Sequence, residues 1–289
     1  MCKNLVEKAD VDKPVIIFNR TQARALEFQM TLPSEKSMVV PTIEELVSKS
    51  DVIFISVADD SAINETVDSV IKNNVEGKLI VDTSTVHPDT SNALAKKVTD
   101  CGAEFAACPV FGTPAAANNG QLICVLAGPT SAVGKVKPYL KGVIGRAVID
   151  YSGRPCGTAT TMKLVGNTLI LNMVESVAEG HVLAEKAGLG PEHLHQFLDD
   201  FFSGPYSVYS TRMMSGDYYK RDLPLAPIDI LLKDAKHALT LAKSTGTQLK
   251  ALEVVVAHAT AVKEYTGSKG DLSGIYGVVR KEAGLEFEN

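Results

Sequence analysis

The first half of the chain alternates short apolar runs with amphipathic segments. The apolar runs are rich in β-branched residues, as is typical of buried strands, and the segments between them have helical spacing. The predicted strands are Val15–Phe18, Met38–Val40, Asp51–Val57, Leu79–Asp82, Phe105–Pro109, Gln121–Ala127 and Ala147–Tyr151. The predicted helices are Gln22–Met30, Ile43–Ser48, Ser61–Lys72, Asp89–Asp100 and Ser131–Leu140. This alternation predicts a Rossmann-like, doubly wound α/β domain over residues 1–153, with a mostly parallel sheet covered on both faces.

The pattern changes after Gly153. A single helical run of roughly 30 residues, Thr158–Lys186, is followed by further helical segments at His193–Phe202, Ile228–Ser244 and Gln248–Glu264. Residues 154–289 are therefore predicted to form an all-helical domain. The long helix is too apolar to stand alone in water, and a second subunit is one candidate for what covers it.

The composition of the chain argues against nucleic acid and anionic membranes as partners. The 34 acidic and 29 basic residues give a formal charge of -5, which offers no basic surface for nucleic acid or an anionic membrane. No apolar run approaches ~18 residues, and residues 1–13 lack the apolar run of a signal peptide. We therefore expect a soluble, cytoplasmic protein, unless a mitochondrial signal lies upstream of Met1. The five scattered cysteines form no Cys-x-x-Cys pair, and His193 and His195 face different ways on a helix, so we expect no metal.

The loop after the first predicted strand contains a candidate cofactor contact. Ligands of doubly wound sheets bind beyond the carboxyl ends of the strands, and an arginine there can pair with the 2′-phosphate of NADP. Arg20, in Asn19-Arg20-Thr21, therefore favours NADP, and a solvated arginine at a helix start is the alternative. Residues 1–76 contain no glycine, so the glycine-rich turn that approaches a pyrophosphate is not in its usual place.

Six segments occur in an order that is specific in combination, although each is weak alone. They are NRT (Asn19–Thr21), DVIFISVADD (Asp51–Asp60), DTSTVHPDTS (Asp82–Ser91), PVFGTPAAANNGQL (Pro109–Leu122), GTATTMKLVGN (Gly157–Asn167) and KDAKHA (Lys233–Ala238). With them, nearly the whole chain resembles the β-hydroxyacid dehydrogenase family, which includes 3-hydroxyisobutyrate dehydrogenase, glyoxylate or succinic semialdehyde reductases and the N-terminal part of 6-phosphogluconate dehydrogenase. That family opens with a strand and a GxGxMG turn, so the resemblance implies that about a dozen residues are absent, through a deletion or a start codon placed too late.

The resemblance implies a role for each candidate residue. Lys163 corresponds to the general acid/base, because an ammonium can stabilise negative charge on a carbonyl oxygen and donate a proton to it. Asn167, four residues later on the same helix face, is implied to bind substrate. The other implied substrate contacts are Ser84, Gly112 and Thr113. The implied cofactor contacts are Asn19, Arg20, Thr21, Val57, Ala58, Thr85 and Lys233.

Several of these roles have a purely structural alternative. Ser84 and Thr85 could cap a helix before Pro88, and Lys233 could form a surface ion pair with Asp234. Val57 and Ala58 could be core residues, and the Lys163/Asn167 pair could be a solvated helix face.

The chain departs from the family pattern in the substrate segment. Phe111 stands where the family commonly has serine, and Thr113 where it commonly has glycine. One hydroxyl is lost and an aromatic ring is gained, which points to a bulkier or less polar substrate. Ala159 also replaces a glycine, which we interpret as a small packing change.

Together, these features predict an NADP-dependent oxidoreductase that interconverts a small β-hydroxyacid and its aldehyde or keto form by hydride transfer. The resemblance further implies an active site between the two domains and a homodimer or higher homo-oligomer. Two alternatives stay open. Imine reductases share this architecture, and Phe111 would suit an apolar imine, although Lys163 argues against that activity. A scaffold that has lost its cofactor is the other alternative.

Overall fold

The computed structural model describes all residues, Met1–Asn289, and the chain divides into two compact units, Met1–Lys163 and Leu164–Asn289. The first unit contains strands β1 (Val15–Ile17), β2 (Ser37–Val39), β3 (Val52–Ile55), β4 (Leu79–Asp82), β5 (Glu104–Ala107), β6 (Val110–Phe111), β7 (Leu122–Gly128) and β8 (Gly145–Ser152). Its helices are α1 (Cys2–Lys8), α2 (Gln22–Gln29), α3 (Ile43–Lys49), α4 (Asp60–Ile71), α5 (Pro88–Thr99), α6 (Pro114–Asn118) and α7 (Thr130–Val136). The long helix α8 (Gly157–Lys186) begins in the first unit and continues into the second.

The second unit contains only helices. After α8 come α9 (Pro191–Phe201), α10 (Pro205–Met214), α11 (Asp217–Lys220), α12 (Ile228–Ser244), α13 (Lys250–Thr266) and α14 (Ile275–Glu282). An α/β unit followed by a helical unit confirms the predicted fold class. None of the helices combines the length and hydropathy needed to span a lipid bilayer.

The strands of the first unit form two sheets. Strands β1 and β2 pair in parallel as a separate two-stranded sheet, with Val15 opposite Ser37. The other six have the order β3-β4-β5-β7-β6, and β8 pairs with β7. Strands β3, β4 and β5 run parallel, whereas β7 is antiparallel to β5 and β6. The parallel β3, β4 and β5 bring their carboxyl ends to one edge, where the site residues follow.

The larger sheet is covered on both faces, because the side chains of its buried strands alternate in direction. In β4, Ile80 packs in one core cluster and Leu79 and Val81 in another. The first cluster includes Ile63 and Val67 from α4 and Leu94 and Val98 from α5, and the second includes Val133 and Val136 from α7. This packing explains why β4 is apolar at consecutive positions rather than alternately.

The core of the helical unit encloses a histidine. The His181 side chain is fully buried, its Nε2 lies 2.8 Å from Ser210 Oγ, and its ring meets the Tyr276 ring edge to face. Its Nδ1 has no hydrogen-bond partner, so the tautomer with the proton on Nε2, donating to Ser210, leaves no buried donor unpaired. Burial, with a smaller contribution from nearby His195, lowers the pKa of His181 to about 4.

We expect His181 to make the free energy of unfolding depend on pH. Its folded-state pKa of about 4 lies below the ordinary value of 6.5, so its contribution is present above pH 6.5 and is lost as the pH falls towards 4. Urea unfolding of the wild type and His181→Gln at pH 7 and pH 5 measures this. The wild type should lose more stability between the two pH values than the variant. Equal losses in both proteins would contradict the assignment.

Candidate active site

The first group of site residues follows strands β3 and β4. The Thr83 hydroxyl donates to the Ile55 carbonyl oxygen at 2.8 Å, and the Val57 N–H donates to Ser84 Oγ at 3.0 Å. The Ser84 N–H in turn donates to a carboxylate oxygen of Asp82 at 2.8 Å. Ser84 is buried, and its hydroxyl oxygen joins the ends of the two strands. This contact with Val57 is a structural role that the sequence did not reveal, and it gives the loop a fixed shape.

Thr85 and Ala58 lie at the same edge of the sheet. Thr85 is half-buried and Ala58 is exposed, while Val57 is half-buried and packs against the apolar core below the edge. His87 caps helix α5, because its Nδ1 accepts a hydrogen bond from the Asp89 N–H at 3.3 Å. Ser84 and Thr85 are therefore not the cap of this helix.

The loop after β1 is accessible to solvent. Asn19, Arg20 and Thr21 are all exposed, and Asn19 Oδ1 accepts a hydrogen bond from the Thr21 N–H at 2.9 Å. That bond fixes the loop locally at the start of α2. Arg20 forms no ion pair within the chain, so its guanidinium is available to an external anion.

The segment Phe111–Thr113 connects β6 to α6. Phe111 pairs with Ile123 of β7. Gly112 has φ +142, and a Cβ there would lie 2.7 Å from Leu122 Cδ2, so this position needs glycine for its backbone conformation and for packing. The Thr113 hydroxyl oxygen accepts from the Ala116 N–H at 3.3 Å and so caps α6.

The start of α8 is anchored on α5. The Gly157 N–H donates to Asn92 Oδ1 at 2.8 Å, and a Cβ on Gly157 would lie 2.7 Å from both Asn92 Nδ2 and the Pro88 carbonyl oxygen. This close approach is possible only for glycine. It fixes the first turns of the helix that bears Lys163, and nothing in the sequence had pointed to Asn92.

Lys163 is the central residue of this arrangement. Its side chain is largely buried, with 9% of the residue exposed. Its ammonium nitrogen lies 4.2 Å from the centre of the Phe111 ring, within the range of a cation–π contact. The structure therefore places the lysine amine beside the Phe111 ring and not in bulk water. The cation–π contact joins residues 52 positions apart, and no local sequence pattern indicates it.

The remaining candidates lie in the helical unit. Asn167 is buried, and its Nδ2 donates to a carboxylate oxygen of Asp234 at 2.8 Å. The other oxygen of Asp234 lies 3.0 Å from Lys233 Nζ. Asp234 is itself buried, so the pair is not the solvated surface ion pair considered as an alternative. Asp234 holds Asn167 and Lys233 in one cluster, a positioning role that spacing alone could not predict.

The fit of a dinucleotide cofactor can be tested on these groups. The exposed arginine after β1 could pair with a phosphate on the adenosine ribose of the cofactor. The loops after β3 and β4 follow the carboxyl ends of parallel strands, where ligands of such sheets bind. No glycine turn for the pyrophosphate is present between residues 1 and 76. Instead, a cavity of about 600 Å³ is lined by β1 and β3, and Met1 and the first residue of α1, Cys2, also lie in its wall. An exposed arginine is therefore present for a ribose phosphate, whereas residues 1–76 supply no glycine turn for the pyrophosphate.

Comparison with known proteins identifies the family. Residues 1–153 match the family model described as the NAD binding domain of 6-phosphogluconate dehydrogenase. Residues 157–279 match the model described as NAD-binding of NADP-dependent 3-hydroxyisobutyrate dehydrogenase. The NADH-dependent oxidoreductase ucdB of Aspergillus ustus is 33% identical over 99% of this chain and 97% of its own length. The chloroplastic glyoxylate/succinic semialdehyde reductase 2 of Arabidopsis thaliana is 31% identical over 95% of this chain and 74% of its own length.

Solved structures show the same fold. A 3-hydroxyisobutyrate dehydrogenase from Mycobacterium tuberculosis, solved with L-serine, has a TM-score of 0.81 at 18% identity, covering 96% of this chain and 94% of its own. An imine reductase from Streptomyces aurantiacus has a TM-score of 0.62 at 18% identity, covering 98% and 94%. At these low sequence identities, the two structures support the fold assignment only. The two family models and the match to a relative over nearly the whole chain show that the protein belongs to the β-hydroxyacid dehydrogenase family and is an NAD(P)-dependent oxidoreductase.

Proposed function

We propose that this protein is an NADP-linked dehydrogenase or reductase that interconverts a small β-hydroxyacid and its aldehyde or keto form, with Lys163 as general acid/base. The observation that carries the proposal is the buried amine of Lys163, held beside Phe111 on a helix whose start is fixed by Asn92. A buried amine in a fixed position is suited to proton transfer, because its geometry is set before the substrate binds.

The chain's own residues have separate tasks in this proposal. A nicotinamide cofactor, when bound, would supply or take up the hydride. In oxidation the neutral amine of Lys163 takes the proton of the substrate hydroxyl, and in reduction the ammonium returns a proton to the carbonyl oxygen. Backbone N–H groups near Gly112 and Thr113 are proposed to hold the carboxylate, together with Ser84.

The proposed cofactor contacts in the first unit remain those of the sequence analysis. Arg20 would pair with the 2′-phosphate of NADP, with Asn19 and Thr21 shaping its loop. Val57, Ala58 and Thr85, at the ends of β3 and β4, would lie along the cofactor.

Turnover of a substrate panel tests the proposed function. We expect saturable NADPH binding and oxidation of a β-hydroxyacid, or NADPH-dependent reduction of a related aldehyde acid such as glyoxylate or succinic semialdehyde, at a higher kcat/KM than reduction of a cyclic imine such as 1-pyrroline. The second candidate is an imine reductase, because the aromatic ring of Phe111 beside Lys163 would suit an apolar imine. Faster turnover of the imine would support this candidate. Failure to bind NADPH and NADH would favour the scaffold alternative.

We also propose that the helical unit forms a homodimer. Large apolar side chains are exposed on α8 at Leu169 and Leu183 and on α9 at Phe197 and Phe201. Burying such side chains against a second copy removes apolar surface from water, which favours association.

A further inference from the structure

We propose that Phe111 selects the substrate, favouring secondary β-hydroxyacids, and the matching β-ketoacids, with a flat apolar group on the reacting carbon. This rests on the function proposed above, because it concerns the substrate of the same Lys163 site. The Phe111 ring and the Lys163 amine, 4.2 Å apart, are the two groups that carry the inference.

The position of Phe111 is set by its backbone. It pairs with Ile123 in the antiparallel β6–β7 ladder. The next residue, Gly112, is confined by Leu122, which leaves no space for a Cβ. The ring also packs against the apolar core cluster on one face of the sheet. Phe111 is therefore held beside the lysine and is not a side chain of a mobile loop.

The distance to Lys163 determines which part of the substrate meets the ring. For proton transfer, the reacting oxygen must lie about 2.6–3.2 Å from Lys163 Nζ. The carbon that gives or receives hydride is bonded directly to that oxygen. A substituent on this carbon therefore comes within reach of Phe111. A primary alcohol or aldehyde has only hydrogen at this position, whereas a phenyl group there would pack on the ring.

The segment Phe111–Thr113 offers no unengaged side-chain hydroxyl to the substrate, which favours an apolar substituent. Phe111 offers no hydroxyl, and the Thr113 hydroxyl oxygen is engaged as the cap of α6. A hydroxyl or charged group placed against the ring would lose hydrogen bonds to water without regaining them, which is unfavourable. An apolar group there gains free energy by leaving water.

The ring also acts on the charge that forms during oxidation. The substrate O–H bond breaks and its proton goes to the Lys163 amine. The C–H bond on the same carbon breaks, and hydride carries its two electrons to the oxidised nicotinamide of NADP as the C=O bond forms. The resulting ammonium lies near the face of the Phe111 ring, where the ring quadrupole stabilises it.

Two β-hydroxyacids test the proposal: racemic 3-hydroxy-3-phenylpropanoate and 3-hydroxypropanoate, which differ only by a phenyl group on the reacting carbon. The measured quantity is the ratio of their kcat/KM values with NADP in wild type, Phe111→Leu and Phe111→Ser. We expect the wild type to favour the phenyl compound and Phe111→Ser to lower the ratio about 10- to 200-fold, the range for an apolar pocket contact. Phe111→Leu should fall between them.

Val110→Ala provides a matched control. Val110 precedes Phe111 on β6 and packs with the core cluster on the opposite face of the sheet. The control disturbs the same strand without touching the lysine, so we expect its selectivity ratio to match that of the wild type. A fall as large as that of Phe111→Ser would mean that general disturbance of the strand explains the effect, and it would overturn the proposal.

The dissociation constants of the same two hydroxyacids, measured by calorimetry without turnover, give a second test. The phenyl compound should bind wild type more tightly than Phe111→Ser, while 3-hydroxypropanoate should bind both alike. A wild-type preference for 3-hydroxypropanoate, or a ratio unchanged in Phe111→Ser, would overturn the role of Phe111 and leave the proposed dehydrogenase function standing. Absence of NADP-dependent turnover of any hydroxyacid or aldehyde would instead reject the proposed function itself.

Discussion

Lys163→Ala should lower kcat about 100- to 10,000-fold, the usual contribution of a positioned acid/base group, and should leave NADPH binding largely intact. The substitution removes the amine and its contact with Phe111 but leaves the anchor between Gly157 and Asn92 in place. The start of α8 should therefore keep its position. Steady-state kinetics and NADPH titration by fluorescence measure the two effects separately.

Lys243→Ala is the control for this prediction. Lys243 is an exposed lysine near the end of α12, and its loss removes the same side chain without touching the site. Its kcat should equal that of the wild type. Near-normal turnover of Lys163→Ala would remove the proposed acid/base, whereas loss of both turnover and NADPH binding would indicate a structural defect.

Arg20→Asp should change the coenzyme preference from NADPH towards NADH. The arginine is exposed and forms no ion pair within the chain, so a 2′-phosphate would gain a charge-assisted hydrogen bond from it. Loss of such a bond costs roughly 1.5–3 kcal/mol, so the kcat/KM for NADPH should fall about 10- to 150-fold. The carboxylate of the variant can accept from a ribose 2′-hydroxyl, so the value for NADH should stay constant or rise.

The similarity to an NADH-dependent relative makes this measurement informative. Arg24→Asp is the control, because it introduces the same charge on an exposed position of α2 one turn later. If the preference for NADPH over NADH is unchanged in Arg20→Asp, or if Arg24→Asp changes it equally, Arg20 does not bind the 2′-phosphate.

Local patterns were sufficient to predict the elements with strong periodicity. The predicted bounds of β4 and α12 agree with the structure, because β4 is an uninterrupted apolar run and α12 has a regular apolar stripe between Pro227 and the turn at Gly246. Helix α14 is not predicted, because it is only eight residues long and contains Gly277 and the β-branched Val278 and Val279, which are weak helix formers. Helix α7 ends at Val136, earlier than predicted, where a 3₁₀ turn containing Pro138 follows.

Strand pairing and the site contacts depend on distant parts of the chain. Nothing local to β7 indicates that it runs antiparallel to β5 and β6, or that β1 and β2 form a separate sheet. The resemblance singled out Lys163 and Phe111 individually. Their contact, and the bond between Asn167 and Asp234, required the fold, because each joins elements far apart in sequence. Sequence reasoning therefore found the residue types of the site but not the partners that hold them.

The two-stranded sheet has a consequence for local motion. Strand β1 is hydrogen-bonded on one side only, to β2, and β3 is bonded only to β4, with the 600 Å³ cavity bordered by both. No ladder of backbone bonds therefore ties the β1–β2 pair to the larger sheet, and an isolated pair of strands is marginally stable. Separating this pair from the rest of the unit would therefore break no backbone hydrogen bond of the six-stranded sheet. Since Arg20 follows β1 directly, the same opening would carry the proposed phosphate contact with it, linking coenzyme affinity to a local folding equilibrium.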